Sequence, residues 1–461
     1  MKINTKTAIC ILLSLLFFSA SEVRAVEEIR YAAYESSSSG TIIRHYTNNV
    51  DVVCYHNMYN PYFMIYKTGV SSTNVLYLPP MDTIYDFEIY NDTVYFCGEG
   101  QFPRAGAAVV GYFAIADMSG TSYANVSYVT LPAMKMVRAI EVGWFASRKH
   151  VVGVGEAINS EGMMVDMIDE STYWKVNFGD VGGDTVALSD LAITANYVVV
   201  TSTMPATGFA TKGRVWFFAK PSTPGQSLFP YYNVYFQDFV NSSGLTRKFL
   251  VRSRGDYIAT AYRVDMSLMG SNPFIISYYN GPAYVRSVMI DEASESMIQL
   301  GDMQLTEGSK SLALLLNGQY KTGAGSTPRS VVYEIPNYYP VPAMVDAHVY
   351  DGVFFESIDH MWLTNLDNQH FVLSGYQPYG YGTPYYMNFH YGYFGDNTCL
   401  DAKRTVARNI EIEHEKSYKD IKNTVTLQIP QVMSQQIKPM EIVTPCHEYT
   451  PVQSNENKNK Q

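Results

Sequence analysis

Aspartate residues are the first candidates for catalytic chemistry in this 461-residue chain. Asp86, Asp190 and Asp346 recur at one position of a repeated phrase, just before an apolar segment. Two carboxyl groups that face each other across a cleft can hydrolyse a glycosidic bond. An aspartate that recurs in a repeat more commonly accepts backbone N–H bonds at a turn, so we expect a structural role for these three.

A second candidate group lies where the repeat is interrupted. Glu356, Asp359 and His360 stand where other copies have glycine or small residues. Together they could bind a metal or transfer protons. The simpler interpretation is a solvated polar loop.

Aromatic residues form the third group, in the glycine- and proline-rich segment 375–395. Tyrosine rings stack on sugars or on a partner's aromatic side chains, while their hydroxyl groups form hydrogen bonds. The alternative is that these rings pack between sheets. The candidate ligand-binding tyrosines are Tyr376, Tyr379, Tyr381, Tyr385 and Tyr386.

Other chemistries find no support in the sequence. Nucleophile-elbow, H-E-x-x-H, Walker and calcium-loop motifs are absent. Gly153-Val154-Gly155 lacks the third glycine of a dinucleotide fingerprint. We therefore predict no cofactor and no metal. The formal charge of -10, without basic clusters, argues against nucleic-acid binding, so a glycan or a protein is the expected partner.

The N-terminus predicts export. Two lysines, an apolar stretch at residues 8–18 and Val23-Arg24-Ala25 fit a signal peptide at 1–25. No later segment approaches the roughly 20 apolar residues of a membrane span. We expect a periplasmic, outer-surface or extracellular protein. A eukaryotic secretory origin stays open because three N-x-S/T triplets are present, at Asn91, Asn125 and Asn241.

A repeated all-β unit must position these residues. YDFEIYNDTVYFCGEG, residues 85–100, reads as two strands around an Asn91-Asp92 turn, and related phrases recur at intervals of roughly 40 to 55 residues. This pattern predicts a β-propeller of seven blades over 26–400, or six if the first copy completes the last. The predicted blade starts are near residues 41, 84, 136, 187, 248, 300 and 344.

The ends of the chain would complete the ring. Either residues 29–34 or residues 425–429 could supply the strand that closes it. A short C-terminal extension, 401–461, turns polar and proline-rich and is expected to be partly disordered.

Four cysteines follow the signal peptide. Cys54 and Cys97 occupy equivalent points in adjacent blades, about 10 Å apart, so we expect buried thiols rather than a disulfide. A Cys399–Cys446 disulfide would pin the extension to the ring; free thiols are the alternative. Cys446-His447 lacks further metal ligands at a suitable spacing.

The phrase NDTVYFCGEG after an export signal resembles uncharacterised exported propeller-like proteins of Bacteroidetes. The resemblance is strongest over one blade and weaker over residues 41–393. It implies a propeller outside the inner membrane and nothing about substrate.

These observations predict a non-enzymatic exported propeller that binds a glycan, peptide or envelope partner through loops at one mouth of the ring. One alternative is a glycan-active hydrolase or lyase that uses channel-facing carboxylates. Another is a structural component of a surface assembly. The oligomeric state is not indicated.

Overall fold

The computed structural model describes the backbone of 32 strands between Glu28 and Glu441, with several tight turns. Side chains are described mainly in 83–101, 107–116, 126–169, 187–203, 213–223, 248–263, 274–290 and 300–305. Outside these ranges, the described side chains are those of Arg44, Phe178, Leu312, Leu314, Val331, Val332, Tyr333 and Ile335. The strands are β1 Glu28–Ala33, β2 Ser38–Thr47, β3 Val50–Asn57, β4 Pro61–Lys67, β5 Ser72–Tyr77, β6 Thr83–Tyr90, β7 Thr93–Gln101, β8 Val109–Asp117, β9 Tyr123–Leu131, β10 Met134–Phe145, β11 Arg148–Ala157, β12 Gly162–Ile168, β13 Thr172–Phe178, β14 Ala187–Ile193, β15 Tyr197–Pro205, β16 Ala210–Ala219, β17 Phe229–Asn241, β18 Phe249–Arg254, β19 Tyr257–Arg263, β20 Phe274–Asn280, β21 Ala283–Ile290, β22 Ser296–Leu305, β23 Ser311–Thr322, β24 Gly325–Pro336, β25 Met344–Asp351, β26 Ser357–Leu363, β27 His370–Gln377, β28 Tyr386–Tyr393, β29 Asp401–Ile410, β30 His414–Ser417, β31 Asn423–Thr426 and β32 Gln431–Glu441.

Antiparallel pairing arranges these strands as a β-propeller, the predicted fold class. Blades 1 to 6 are β2–β5, β6–β9, β10–β13, β14–β17, β18–β21 and β22–β25, and blade 7 is β26–β28 completed by β1. The first strand of each blade lies beside the first strand of the next, and β26 returns to β2. The N-terminal strand therefore closes the ring: Glu28–Ala33 pairs with Tyr391–Tyr386.

The predicted blade starts near 41, 84, 136, 187, 248 and 300 fall in or within a residue of the inner strands β2, β6, β10, β14, β18 and β22. The start near 344 is wrong. Residues 344–351 form β25, the outermost strand of blade 6, and blade 7 begins at Ser357. The prediction rested on the similarity between the sequences around Asp346 and Asp86. It failed because an outer strand can have the same short polar–apolar pattern as an inner strand.

Second strands are buried on both faces, as their uninterrupted apolar runs predict. In β7, five consecutive residues from Val94 to Gly98 are buried, and β11 is buried from His150 to Val154 and beyond. Their side chains fill separate cores between neighbouring blades. One core packs Cys97 and Phe113 of blade 2 against Val137 and Val151 of blade 3. Burial of apolar area between sheets is the main stabilising term of such a ring.

The inner hairpin of blade 2 combines a tight turn with a bulge. Asn91 and Asp92 both have positive φ, 47° and 60°, which is the two-residue turn that their residue types favour. A bulge between Ile84 and Asp86 then brings β6 close to β7. A Cβ on Gly98 would lie 1.7 Å from the Thr83 carbonyl oxygen, so only glycine fits there.

Replacing Gly98 by alanine should therefore destabilise the protein by about 1–3 kcal/mol through overpacking against backbone. Urea denaturation measures the change. Gly143→Ala is the matched control, because its new Cβ would meet side chains rather than backbone: Ile193 at 3.1 Å and Phe145 at 3.6 Å. Equal stability of the two variants would contradict the close contact between residue 98 and the Thr83 backbone.

The C-terminal extension runs around the outside of the propeller. β29 pairs with β25 and then β21, β30 with β17, β31 with β13, and β32 with β9 and then β5. It thus covers the outermost strands of blades 6 to 1 in reverse order. Unpaired outer strands are templates for association with other chains, so this belt, β29–β32, protects six edges.

Removing residues 401–461 should expose those edges, lower the unfolding temperature and cause self-association, measured by thermal unfolding and size-exclusion chromatography. Removing only 442–461, which keeps the belt, is the control and should behave as the full chain. A belt-free protein that stays monomeric and equally stable would show that the edges need no cover.

Several expectations concern residues that the structure does not describe. The signal peptide, Cys399, Cys446 and the end of the chain after Glu441 lie outside the described residues. Cys97 is a buried thiol, as predicted, whereas the side chain of Cys54 is not described. Among the described residues, no helix is long and apolar enough to span a bilayer.

Candidate channel site

A cavity of about 330 Å³ opens at the axis of the propeller. Six consecutive inner strands, β2, β6, β10, β14, β18 and β22, contribute to its wall. The volume is at the lower end of the range of small-molecule sites. Its charged lining residues are Arg44, Asp86, Glu88, Glu141, Asp190, Arg252 and Arg254.

The repeat explains why these side chains converge. Glu88, Glu141, Arg252 and Gln304 lie at the same register of successive inner strands, paired with Tyr95, Val152, Ala259 and Ala313 of the second strands. The same register in blade 4 is Ala192. Blades 2, 3, 5 and 6 thus each place a side chain of different chemistry at this register of the channel wall.

Asp86 joins three blades. Its Oδ1 accepts hydrogen bonds from Arg44 of blade 1 at 2.7 Å and from Phe87 N at 2.9 Å. Its Oδ2 accepts one from Ile140 N of blade 3 at 3.1 Å. The predicted structural role of this aspartate, acceptance of backbone N–H bonds, is confirmed.

Asp190 repeats the arrangement two blades further on. It accepts hydrogen bonds from Leu191 N at 2.9 Å, from Val251 N at 3.0 Å and from Arg252 at 2.6 Å. Arg252 also donates to Asp302 of blade 6, at 2.8 Å. The third predicted member, Asp346, does not belong to this set because it lies in outer strand β25.

Glu88 and Glu141 face the cavity from neighbouring blades. Their negative charges are less fully paired with arginines and N–H donors than those of the aspartates. Arg44 Nε lies 3.7 Å from Glu88 Oε2. The pKa of Glu141 is raised well above its usual value by burial, then by the charges of Glu88 and Asp86, and the arginines oppose this only more weakly. Glu141 therefore keeps its proton to a higher pH than an ordinary glutamate.

Burial raises the pKa of Asp86 to about 6, against the opposing charge of Arg44. Burial likewise raises the pKa of Glu88 to about 6, again opposed by Arg44 and assisted by Asp86. Carboxyl groups with displaced pKa values in a cavity mark a candidate site for proton transfer.

These shifts predict how stability depends on pH. Between pH about 4 and about 6 the folded chain holds more protons on Asp86 and Glu88 than the unfolded chain does, so their contribution to stability falls as the pH rises. Glu88→Gln should make this fall shallower. Urea midpoints measured from pH 4 to 7 test it, with Glu161→Gln, at a turn, as the control. Parallel curves for wild type and Glu88→Gln would contradict the shift.

The structure places some of the other predicted site residues by their backbone alone. Asp359 and His360 lie in β26, so this segment is a strand, not a loop, and Asp359 is the bulged residue of an inner strand. Tyr376 and Tyr386 lie in β27 and β28, the second and third strands of blade 7. None of these four side chains is described. Glu356, Tyr379, Tyr381 and Tyr385 lie outside the described residues, and all eight stay predictions.

Sequence reasoning did not single out Glu88, Glu141, Arg44 or Arg252. A signal for the first two was present: in FEI and IEV, a glutamate interrupts an apolar strand at one repeat position. Alignment of inner strands by their bulges would have exposed it. Arg44 and Arg252 carry no such pattern, because their partners lie on other blades.

No family model matches the chain, and no curated protein gives a significant match. Two solved structures are similar in architecture. One is a GH32 β-fructofuranosidase of Bombyx mori in complex with sucrose, at 9% identity and TM-score 0.33, covering 87% of this chain and 98% of the other. The second is a sucrose-6-phosphate hydrolase from Lactobacillus gasseri, at 11% identity and TM-score 0.31, covering 84% and 96%. At these values the likeness is one of fold only.

The main functional prediction, a non-enzymatic binding propeller, is wrong. The two similar structures bear the names of a β-fructofuranosidase and a sucrose-6-phosphate hydrolase, which are enzymes, whereas the prediction named a non-enzymatic binding protein. The described channel also contains the cluster of carboxyl groups that the hydrolase alternative requires.

Proposed function

We propose that the protein is a glycan-active hydrolase whose catalytic groups are Glu141 and Glu88 in the axial channel. The observation that carries this proposal is their position: two carboxyl groups on adjacent inner strands line one cavity, and the charge of Glu88 raises the proton affinity of Glu141. Glycoside hydrolysis needs two such groups, one protonated and one ionised.

The environment assigns the roles. Glu141 has the more strongly favoured proton, so it donates that proton to the glycosidic oxygen as the bond to the leaving sugar breaks. Glu88 lies 3.7 Å from the Arg44 guanidinium, which favours its ionised form. As a carboxylate, it either removes a proton from an attacking water or attacks the anomeric carbon.

The aspartates support this pair without reacting. Asp86 and Asp190 each accept three hydrogen bonds, including one from an arginine. These hydrogen bonds hold both carboxylates against the wall of the channel, so they are not oriented towards a bound substrate. Their role is to hold Arg44 and Arg252 at the channel wall.

The predicted signal peptide supports the further proposal that this activity operates outside the inner membrane, where glycans are accessible. The predicted glycan partner is thereby the substrate.

Glu141→Gln and Glu88→Gln should each lower kcat by about 10²-fold or more, because each removes proton transfer while it preserves side-chain shape. Release of reducing sugar from a panel of neutral and acidic oligosaccharides measures this. Glu161→Gln is the matched control outside the channel and should keep wild-type activity. Folded wild-type protein that cleaves nothing in the panel, or either channel variant at full activity, would refute the proposal.

A further inference from the structure

The channel cavity lies towards one end of the propeller. Its lining residues occupy the middle and the C-terminal part of the inner strands, and Ile193, Arg254 and Leu305 are the last residues of β14, β18 and β22. The inner strands continue there into the connections to the second strands of their blades, such as the Asn91-Asp92 turn. The cavity therefore lies on the face of the ring that carries these connections, which we call the turn face.

Trp144 stands at the rim of the channel on the turn face. It lies in inner strand β10, three residues after Glu141, which lines the cavity. At a rise of about 3.3 Å per residue, the two positions are about 10 Å apart along the strand. The Trp144 side chain is 61% exposed, and no ring contact or side-chain hydrogen bond joins it to another described residue. Single exposed apolar side chains are common on proteins, so the surroundings of this one decide its role.

The indole faces the junction between blades 2 and 3. Lys149 lies opposite Trp144 on β11, and therefore on the same face of the sheet. Its Nζ donates a hydrogen bond across that junction to the hydroxyl group of Tyr95 in blade 2, at 2.8 Å. From blade 2, the half-buried Tyr90 packs against the core between the two blades, and Glu88 precedes it by two residues on the same face of β6. Two aromatic rings, Tyr90 and Trp144, thus border the junction at which Glu88 enters the channel.

The hairpin that carries the indole is tight and anchored. Ala146 and Ser147 both have positive φ, 49° and 59°, so a two-residue turn joins β10 to β11. Lys149 N donates a hydrogen bond to Asp169 Oδ1 at 3.2 Å, and Asp169 N donates one to Lys149 O at 3.0 Å. On the opposite face, Phe145 is buried in the core shared with blade 4. The backbone that presents the indole is thus fixed before a ligand arrives, which lowers the entropy lost on binding.

We propose that Trp144, with Tyr90 beside it, forms a sugar-binding subsite at the channel rim. One ring of an oligosaccharide stacks on the indole, and the chain continues into the channel towards Glu88 and Glu141. This inference rests on the proposed function and deepens it, because it names the substrate class as an oligosaccharide of several pyranose units. The separation of about 10 Å between Trp144 and Glu141 along the strand is longer than one sugar ring, so a single sugar does not occupy both places.

The chemistry of the indole fits a sugar ring. The C–H groups on one face of a pyranose form a flat apolar surface that packs on an aromatic ring, while the hydroxyl groups at its edge stay in water. The indole N–H is a donor only, and a sugar hydroxyl group is a suitable acceptor for it. An aromatic side chain of this kind also fixes the direction in which the chain enters the channel.

Isothermal titration with three probes tests the inference: cellohexaose, maltohexaose and xylohexaose. Glu141→Gln protein is used for all titrations, so that the probe stays intact, and it should bind at least one of the three. Adding Trp144→Ala should lower the affinity for that probe about tenfold, because the stacking surface is lost. Trp144→Phe should lose less, since a smaller ring still stacks. Thermal unfolding of Trp144→Ala should match its parent, because the side chain is exposed.

Ile158→Ala is the matched control. Ile158 is also an exposed apolar residue of blade 3, at 63%, but it lies in the turn between β11 and β12, at the opposite end of the blade. It should bind the probe as its parent does. Binding of none of the three probes, an unchanged affinity in Trp144→Ala, or an equal loss in Ile158→Ala would overturn the inference.

Binding is measured separately from turnover, so the two proposals fail independently. Loss of affinity in Trp144→Ala, together with a wild type that cleaves no probe, would support the subsite and refute the hydrolase. Cleavage of a probe by wild type, together with an unchanged affinity in Trp144→Ala, would overturn the subsite alone.

Discussion

Two arginines, each shared between carboxylates, fix the inner strands around the axis. Arg44 of blade 1 binds Asp86 and lies near Glu88 of blade 2, and Arg252 of blade 5 bridges Asp190 of blade 4 and Asp302 of blade 6. Such buried pairs add little net stability compared with apolar residues, but loss of one partner costs about 3–5 kcal/mol. Their effect is therefore to specify how neighbouring blades meet, while the apolar cores between blades supply the stability.

The same network creates the chemistry of the channel. Asp86 and Asp190 pair with the arginines. The remaining carboxyl groups are therefore buried with too little positive charge nearby to offset the cost of ionising them. Glu141 is the extreme case, since its acidic neighbours act on it more strongly than the arginines do. A structural requirement of the ring, that inner strands be joined by buried charges, thereby leaves one glutamate protonated beside another that ionises more readily.

Much of the architecture follows from local sequence. The Asn91-Asp92 turn, the apolar second strands and the small residue at Gly98 repeat often enough to predict a propeller and six of its inner strands. The start of blade 7 was predicted wrongly because its inner strand, SIDHMWL, has little sequence similarity to the other inner strands, whereas the outer strand β25 resembles them.

The site was harder to predict because its contacts join residues far apart in the chain. Asp86 was noticed as a repeated residue, and its hydrogen bond to Ile140 N could be expected from recurrence. The partnership of Arg252 with Asp190 and Asp302 depends on how blades 4, 5 and 6 converge, which no local pattern encodes. The belt β29–β32 was likewise predicted to be a polar extension. Its strands pair with sheet edges through backbone groups, and such pairing leaves no recognisable pattern of side chains in the sequence.

The most direct test of the account is a carboxyl-carbon NMR titration of protein labelled in glutamate, with Glu88→Gln and Glu141→Gln spectra to assign the two signals. The account predicts that the Glu88 signal titrates near pH 6 and that the Glu141 signal titrates well above the usual glutamate range. It also predicts that Glu88→Gln lowers the pKa of Glu141, because the neighbouring charge of Glu88 is removed. Two independent titrations near pH 4.5, unaffected by the partner's substitution, would contradict a coupled pair in a buried channel.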